Sequence, residues 1–205
     1  MKIEKLVLGA YQTNCYVISH NEMAVVIDPG ANGEIIGTLL QNNNLTLEAV
    51  FLTHGHYDHI GAVDYLYNLT KCKIYAHYND KELMSKNEKS NFSDFQTIEI
   101  QSPIEYFSGD FESFTILKDI ILDAVHTPGH SSGSVVYVLR NYLRIFSSDT
   151  LFKEGIGRVD FPTSNKKEMK ESLKLLATFK DNCKVFPGHG EETTIGYEKE
   201  NNIYF

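Results

Sequence analysis

The chain has 205 residues, 42% of them hydrophobic and 12% aromatic, enough to enclose one substantial core and too few for two large ones, so a single domain over 1–205 is expected. Its formal net charge is −8 with no concentrated Lys/Arg run, which leaves no stripe for neutralising a phosphate backbone and argues against nucleic acid as a partner. No uninterrupted apolar stretch has signal-peptide or membrane-span length, and Cys15, Cys72 and Cys183 are odd in number and outside any Cys-x-x-Cys spacing. A cytoplasmic protein with reduced core cysteines and no membrane partner is expected.

Strands are predicted over Ile3–Leu8, Cys15–Ile18 and Met23–Ile27, the last stopped by the turn residues Asp28-Pro29-Gly30. A helix is expected over 34–40. The apolar run from Leu47 to Thr53 then reads as a strand buried on both faces, ending at His54. Ile60, Val63, Leu66, Tyr67 and Leu69 are spaced for a helix, and Lys73–Ala76 for the next strand. The polar stretch over 85–101 is expected to be a surface loop anchored by Phe92 and Phe95. Strands resume at Phe114–Leu117, Ile120–Val125, Ser134–Leu139 and Leu143–Phe146. A helix over 166–180 places Met169, Leu173, Leu176 and Phe179 on one face, and Asn165 with Glu168 resembles a capping box. Val185-Phe186 closes the series before Pro187-Gly188-His189-Gly190. Strand-rich halves with interspersed helices suggest two packed sheets with helices outside, an α/β layered arrangement.

The chemistry concentrates in His54-Gly55-His56-Tyr57-Asp58-His59. Alternate positions put His54 and His56 on one side if the chain stays extended through Gly55, and Asp58 and His59 fall at a helix start, where exposed N–H groups favour a carboxylate. By composition alone this pattern would arise in such a chain with a probability on the order of one in a thousand. Three further turns at strand ends offer ligands: His130 after Pro128-Gly129, Asp149 after Ser147-Ser148, and His189 after Pro187-Gly188. Imidazole and carboxylate suit divalent ions, with zinc the default and iron or manganese as alternatives. Asp28 reads equally as an acceptor for a ligand imidazole or as a shaper of its turn. His126 is expected to be structural, and His20 and His77 ordinary strand-end or surface residues.

These motifs, together with His126-Thr127-Pro128-Gly129-His130, Ser148-Asp149-Thr150-Leu151-Phe152 and the stretch from Gly155 to Pro162, make the chain resemble metallo-β-lactamase-fold hydrolases, especially small members related to glyoxalase II. The resemblance covers nearly the whole chain and implies a four-layer αββα sandwich. It implies that His54, His56 and His130 hold one metal ion, that Asp58, His59 and His189 hold a second, and that Asp149 bridges them. The implied activity is a thioesterase acting on small-molecule hydroxyacyl-thiol substrates through a metal-bridging hydroxide, with Asp58 also orienting the nucleophile. Arg158 reads either as a contact for a substrate anion or as a surface ion pair. His59 stands where true β-lactamases of this fold commonly carry Arg, and Asp149 where many carry Cys, which disfavours antibiotic hydrolysis. Diiron flavoproteins of the fold usually have Glu where His56 stands. Thr163-Ser164 replaces a common pair of glycines, and the chain ends sixteen residues after His189, without the helical domain with which glyoxalase II helps bind glutathione. A mononuclear iron persulfide dioxygenase, using His54, His130 and Asp149, and a lactone hydrolase remain the alternatives, while net acidity and short length argue against the nuclease branch.

Overall fold

Period-two alternation along the strands gives each sheet two apolar faces, and both are covered. The computed structural model describes residues 1–85 and 98–205. Phe92 and Phe95, with most of the expected 85–101 loop, lie outside the described residues. The first sheet runs in sequence order through β1 (Lys2–Leu8), β2 (Thr13–His20), β3 (Met23–Ile27), β4 (Thr46–Phe51), β5 (Lys73–His77) and β6 (Glu105–Phe107). Its first three strands are antiparallel, and β3 to β6 are parallel, with helix α1 (Gly33–Asn42) between β3 and β4 and helices α2 (Tyr57–Ile60) and α3 (Val63–Thr70) between β4 and β5.

The second sheet is built from β7 (Phe111–Ile116), β8 (Ile120–His126), β9 (Val135–Leu139), β10 (Arg144–Ser148), β11 (Lys184–Pro187) and β12 (Thr193–Thr194), again in sequence order across the sheet. Only β10 and β11 are parallel there, because α4 (Lys166–Leu176) lies in the crossover between them; α5 (Ile195–Asn201) follows β12.

Side chains alternate between layers as the pleat requires. On β2, Tyr16 and Ile18 enter the space between the sheets, while Cys15 and Val17 face the helices; on β3, Val25 and Ile27 alternate likewise with Ala24 and Val26. The inter-sheet core is completed by Phe51, Leu122, Tyr137, Phe146 and Phe186. Ile36 and Leu40 of α1 and Val63 and Leu66 of α3 cover the outer face of the first sheet. Met169, Leu173 and Leu176 of α4 cover Val136, Ile145 and Val185 of the second. The αββα layering expected from the sequence is the one observed.

Two expected boundaries shift for local reasons. β4 stops at Phe51, because the Thr53 amide leaves the ladder to donate to Asp28 Oδ1 at 2.8 Å. The expected helix over 166–180 is capped by Asn165 as anticipated, but ends at Leu176. There the Thr178 and Phe179 amides turn to carbonyls three residues back, and the Thr178 hydroxyl takes the Leu175 carbonyl at 2.7 Å. β6, β12 and α5 were not foreseen; two are strands of two or three residues, too short to show a period.

The β3 end is clamped to α2. Ala62 N–H donates to Pro29 O at 2.8 Å, and a Cβ on Gly30 would stand 1.8 Å from the Asp58 carbonyl oxygen. The two backbones meet where only glycine fits. Gly30→Ala is therefore expected to cost about 2 kcal/mol or more, as overpacking against backbone does. Urea unfolding should show a lower midpoint at unchanged slope.

Candidate metal centre

The loops that follow β4, β8, β10 and β11 emerge at one edge of the sandwich, and they carry the seven residues expected as ligands. His54 and His56 lie in the loop after β4, Asp58 and His59 in α2, and His130 in the loop after β8. Asp149 follows β10 directly, at a register shift in its pairing with β11, where Ser148 takes φ 45°. That left-handed residue swings the chain out of the ladder and delivers the next side chain to the edge. Gly188 brings His189 close: a Cβ there would lie 2.2 Å from Asp149 Oδ1.

Asp28, His54 and His59 form one group of ligand atoms within 4.8 Å of one another, and the expected ligands form two more: His54, His56 and His130, and Asp58, His59 and His189. Asp149 faces both, with Oδ2 3.5 Å from His130 Nε2 and Oδ1 3.4 Å from His59 Nε2. It is also 3.6 Å from His189 Nε2.

The outer nitrogens of four imidazoles are already committed. His130 Nδ1 lies 2.9 Å from the Arg158 carbonyl and His189 Nδ1 3.1 Å from the Tyr11 carbonyl; a carbonyl only accepts, so both nitrogens carry hydrogen. His59 Nδ1 donates to Asp28 Oδ2 at 2.9 Å. Thr53 Oγ1 donates to the same carboxylate at 2.6 Å, which leaves its lone pair to receive His54 Nδ1–H at 3.0 Å. Each Nε2 therefore turns inward. The Nε2 atoms of His54, His59 and His130, and Asp149 Oδ1, are buried with no hydrogen-bond partner. Four converging buried polar atoms without partners would be costly in a protein that kept them so, and they match the donor types of a divalent-cation site. Asp28 is the acceptor behind His59 rather than a shaper of its turn alone.

The local field has the same sense. Burial pushes the His54 and His56 imidazoles well below their ordinary value, reinforced by neighbouring histidines, so they are held neutral, the ligating form. Burial acts on His59 in the same direction, but the carboxylates of Asp58, Asp149 and Asp28 outweigh it and raise it to about 10. A point that attracts a proton this strongly attracts a cation. Burial would raise the Asp58 carboxyl, yet His59 and His189 hold it well below its usual value, so it is ionised.

Asp80 was not foreseen. It is fully buried and accepts from Gly55 N at 2.9 Å, Gly133 N at 2.6 Å and Ser131 Oγ at 2.6 Å. Gly55 separates His54 from His56, and Ser131 follows His130, so one carboxylate sets the two loops carrying the first ligand group. In the sequence it sits in Tyr78-Asn79-Asp80-Lys81, which has the composition of solvent-facing chain. His77, at the end of β5, and His126 stack on each other, ring centroids 4.2 Å apart. Arg158 lies at the mouth of the adjoining cavity, bound to Asp160. No helix among the described residues is long and apolar enough to cross a membrane.

Fold and site together define a layered α/β protein with a cluster of metal-ligating side chains at one edge. The chain belongs to the metallo-beta-lactamase superfamily, whose family model matches residues 8–189. It is 32% identical to a probable metallo-hydrolase, YqgX, of Bacillus subtilis, over 100% of this chain and 97% of the relative. It is also 32% identical to the hydroxyacylglutathione hydrolase GloC of Haemophilus influenzae, over 100% and 98%. The solved structure of the BLEG-1 B3 metallo-beta-lactamase superposes with TM-score 0.92 at 33% identity, covering 99% of each chain. That of TTHA1623 in a di-iron-bound form gives 0.86 at 30% identity, covering 98% and 100%.

Asp80→Asn keeps every ligand but presents an amide to donors. It should weaken metal affinity about 10- to 100-fold, the usual effect of disturbing groups that orient ligands, in competition with a chromophoric chelator. Unchanged affinity with a lowered melting temperature would reduce Asp80 to a purely structural part.

Proposed function

We propose that this protein is a binuclear metal-dependent thioesterase acting on hydroxyacyl-thiol substrates. The observation that carries the reading is Asp149, whose two oxygens reach the two ligand groups at 3.5 and 3.4 Å. His54, His56 and His130 would hold one ion, Asp58, His59 and His189 the other, and Asp149 both. Two divalent ions at such a site lower the pKa of bound water and polarise a carbonyl, the chemistry an acyl transfer to water requires. Zinc suits the donors, and the di-iron form of one structural relative makes iron a serious alternative.

The chain's own groups do the orienting. Asp58 is ionised, accepts from Thr13 Oγ1 at 3.1 Å and lines the cavity, so it can also accept from the attacking water and aim its lone pair at the carbonyl. The Nδ1 contacts of His54, His59, His130 and His189 fix the rings before substrate arrives, so little reorganisation accompanies reaction. The name of the GloC relative supports a thioester with a hydroxylated acyl group. A cyclic amide is the second reading, favoured by the superposition on a B3 metallo-beta-lactamase at 33% identity.

Protein purified without added metal should contain two ions per chain and release free thiol from hydroxyacyl thioesters, faster than it opens lactones or a β-lactam. Chelation should abolish turnover and zinc restore it. Asp58→Asn should lower kcat about 100-fold or more. Two bound ions with intact thioesters would reject the reading. A single iron with oxygen uptake on a persulfide would replace it by a dioxygenase.

A further inference from the structure

The cavity beside the ligand cluster has a volume of about 630 Å³ and is walled by Tyr11, Tyr57, Phe152, Ile156, Phe161 and Pro162. Among its described lining residues Arg158 is the one lysine or arginine, and an unpaired guanidinium there would invite an anionic substrate. It is not unpaired. Arg158 Nε lies 2.9 Å from Asp160 Oδ1 and Nη2 2.8 Å from Oδ2, a two-pronged match of fork to carboxylate. The guanidinium also lies over the Phe161 ring, 4.5 Å from its centroid, and the Arg158 carbonyl is tied to His130 Nδ1. Side chain and backbone are both held.

We propose that Asp160 is a specificity-determining residue: by cancelling the Arg158 charge at the cavity mouth it makes the site select thioesters with uncharged, aromatic or aliphatic arms over carboxylate-bearing ones. The pair is exposed, 68% and 63%, so it adds little to stability. Its effect is on what approaches. A substrate carboxylate reaching Arg158 meets Asp160 as a like charge, whereas a flat uncharged group finds the Arg158–Phe161 stack and the apolar wall. The Arg158 hydrogen bonds hold the Asp160 carboxyl below its usual value, so the cancellation persists throughout the neutral range. The inference rests on the thioesterase reading for the bond that is cleaved, and on the cavity alone for the preference.

The test reads binding rather than turnover, which separates the two. Cobalt-loaded protein is titrated with benzenethiol and with para-mercaptobenzoate, and the thiolate-to-cobalt absorption gives each Kd. The wild type should bind benzenethiol about fivefold or more tightly. Asp160→Asn, which unmasks Arg158, should close that gap by about fivefold at low ionic strength and less in high salt, as exposed charges are screened. The double variant Arg158→Gln/Asp160→Asn should return to the wild-type ratio, which a distorted loop would not do. Equal or tighter binding of para-mercaptobenzoate by the wild type, an unchanged ratio in Asp160→Asn, or a double variant that keeps the single variant's ratio would each overturn the proposal. A thioester panel without turnover would count against the proposed reaction and leave this preference standing.

Discussion

The buried carboxylate of Asp28 ties together both sheets and both groups of candidate ligands. It ends β3 at φ 51°, a left-handed conformation that aspartate tolerates better than most residues, and so aims across the sheet edge. Thr53 donates to it through its amide and its hydroxyl, His59 through Nδ1, and Ser148, from the second sheet, through Oγ at 2.9 Å. The ends of β4, α2 and β10 thereby share one acceptor. Such directed bonds between the sheets fix their mutual slide, which hydrophobic packing, being non-directional, specifies only loosely.

This arrangement divides the labour between layers. The four layers bury apolar side chains by simple alternation, and the polar centre is pushed to the edge, where strands give way to loops. Loops can place side chains freely but need anchoring, and the anchors are buried carboxylates. Asp28 serves one end of the centre and Asp80 the other, each saturated with donors, so each is tolerable inside the protein. Asp28 and Ser148 both adopt left-handed backbone at strand ends beside the candidate ligands.

Membership in the metallo-beta-lactamase superfamily accounts for the layers and the ligand-bearing edge, and it does not choose a reaction, since function resides in the site grafted on a fold. Relatives of nearly equal identity carry the names hydroxyacylglutathione hydrolase and B3 metallo-beta-lactamase. Besides the ligands themselves, the walls and mouth of the cavity can set such differences. Here those are aromatic and aliphatic, with one cation already matched by an anion two residues along.

Much of this was legible in the order of residues. His54-Gly55-His56-Tyr57-Asp58-His59 points to cation binding because so many ligating groups in so few residues can hardly avoid sharing a site, and most of the longer strands show in their apolar runs and alternation. Convergence is another matter. That His130, Asp149 and His189 meet that segment depends on strand order and on bulges, which periodicity does not encode; only the resemblance to a family anticipated it. Asp80 could not be found at all, since a buried acid surrounded by polar neighbours looks like a surface residue until its donors, from 25 to 53 positions away, are brought to it. Likewise Arg158 and Asp160 are two positions apart in the chain, but whether they bind each other or a ligand is a question of side-chain direction. Layers and chemistry are local and could be read from the residue pattern. Which carboxylate holds which histidine and which charge is cancelled could not, because those are contacts between residues the chain keeps apart or turns of a loop that no pattern records.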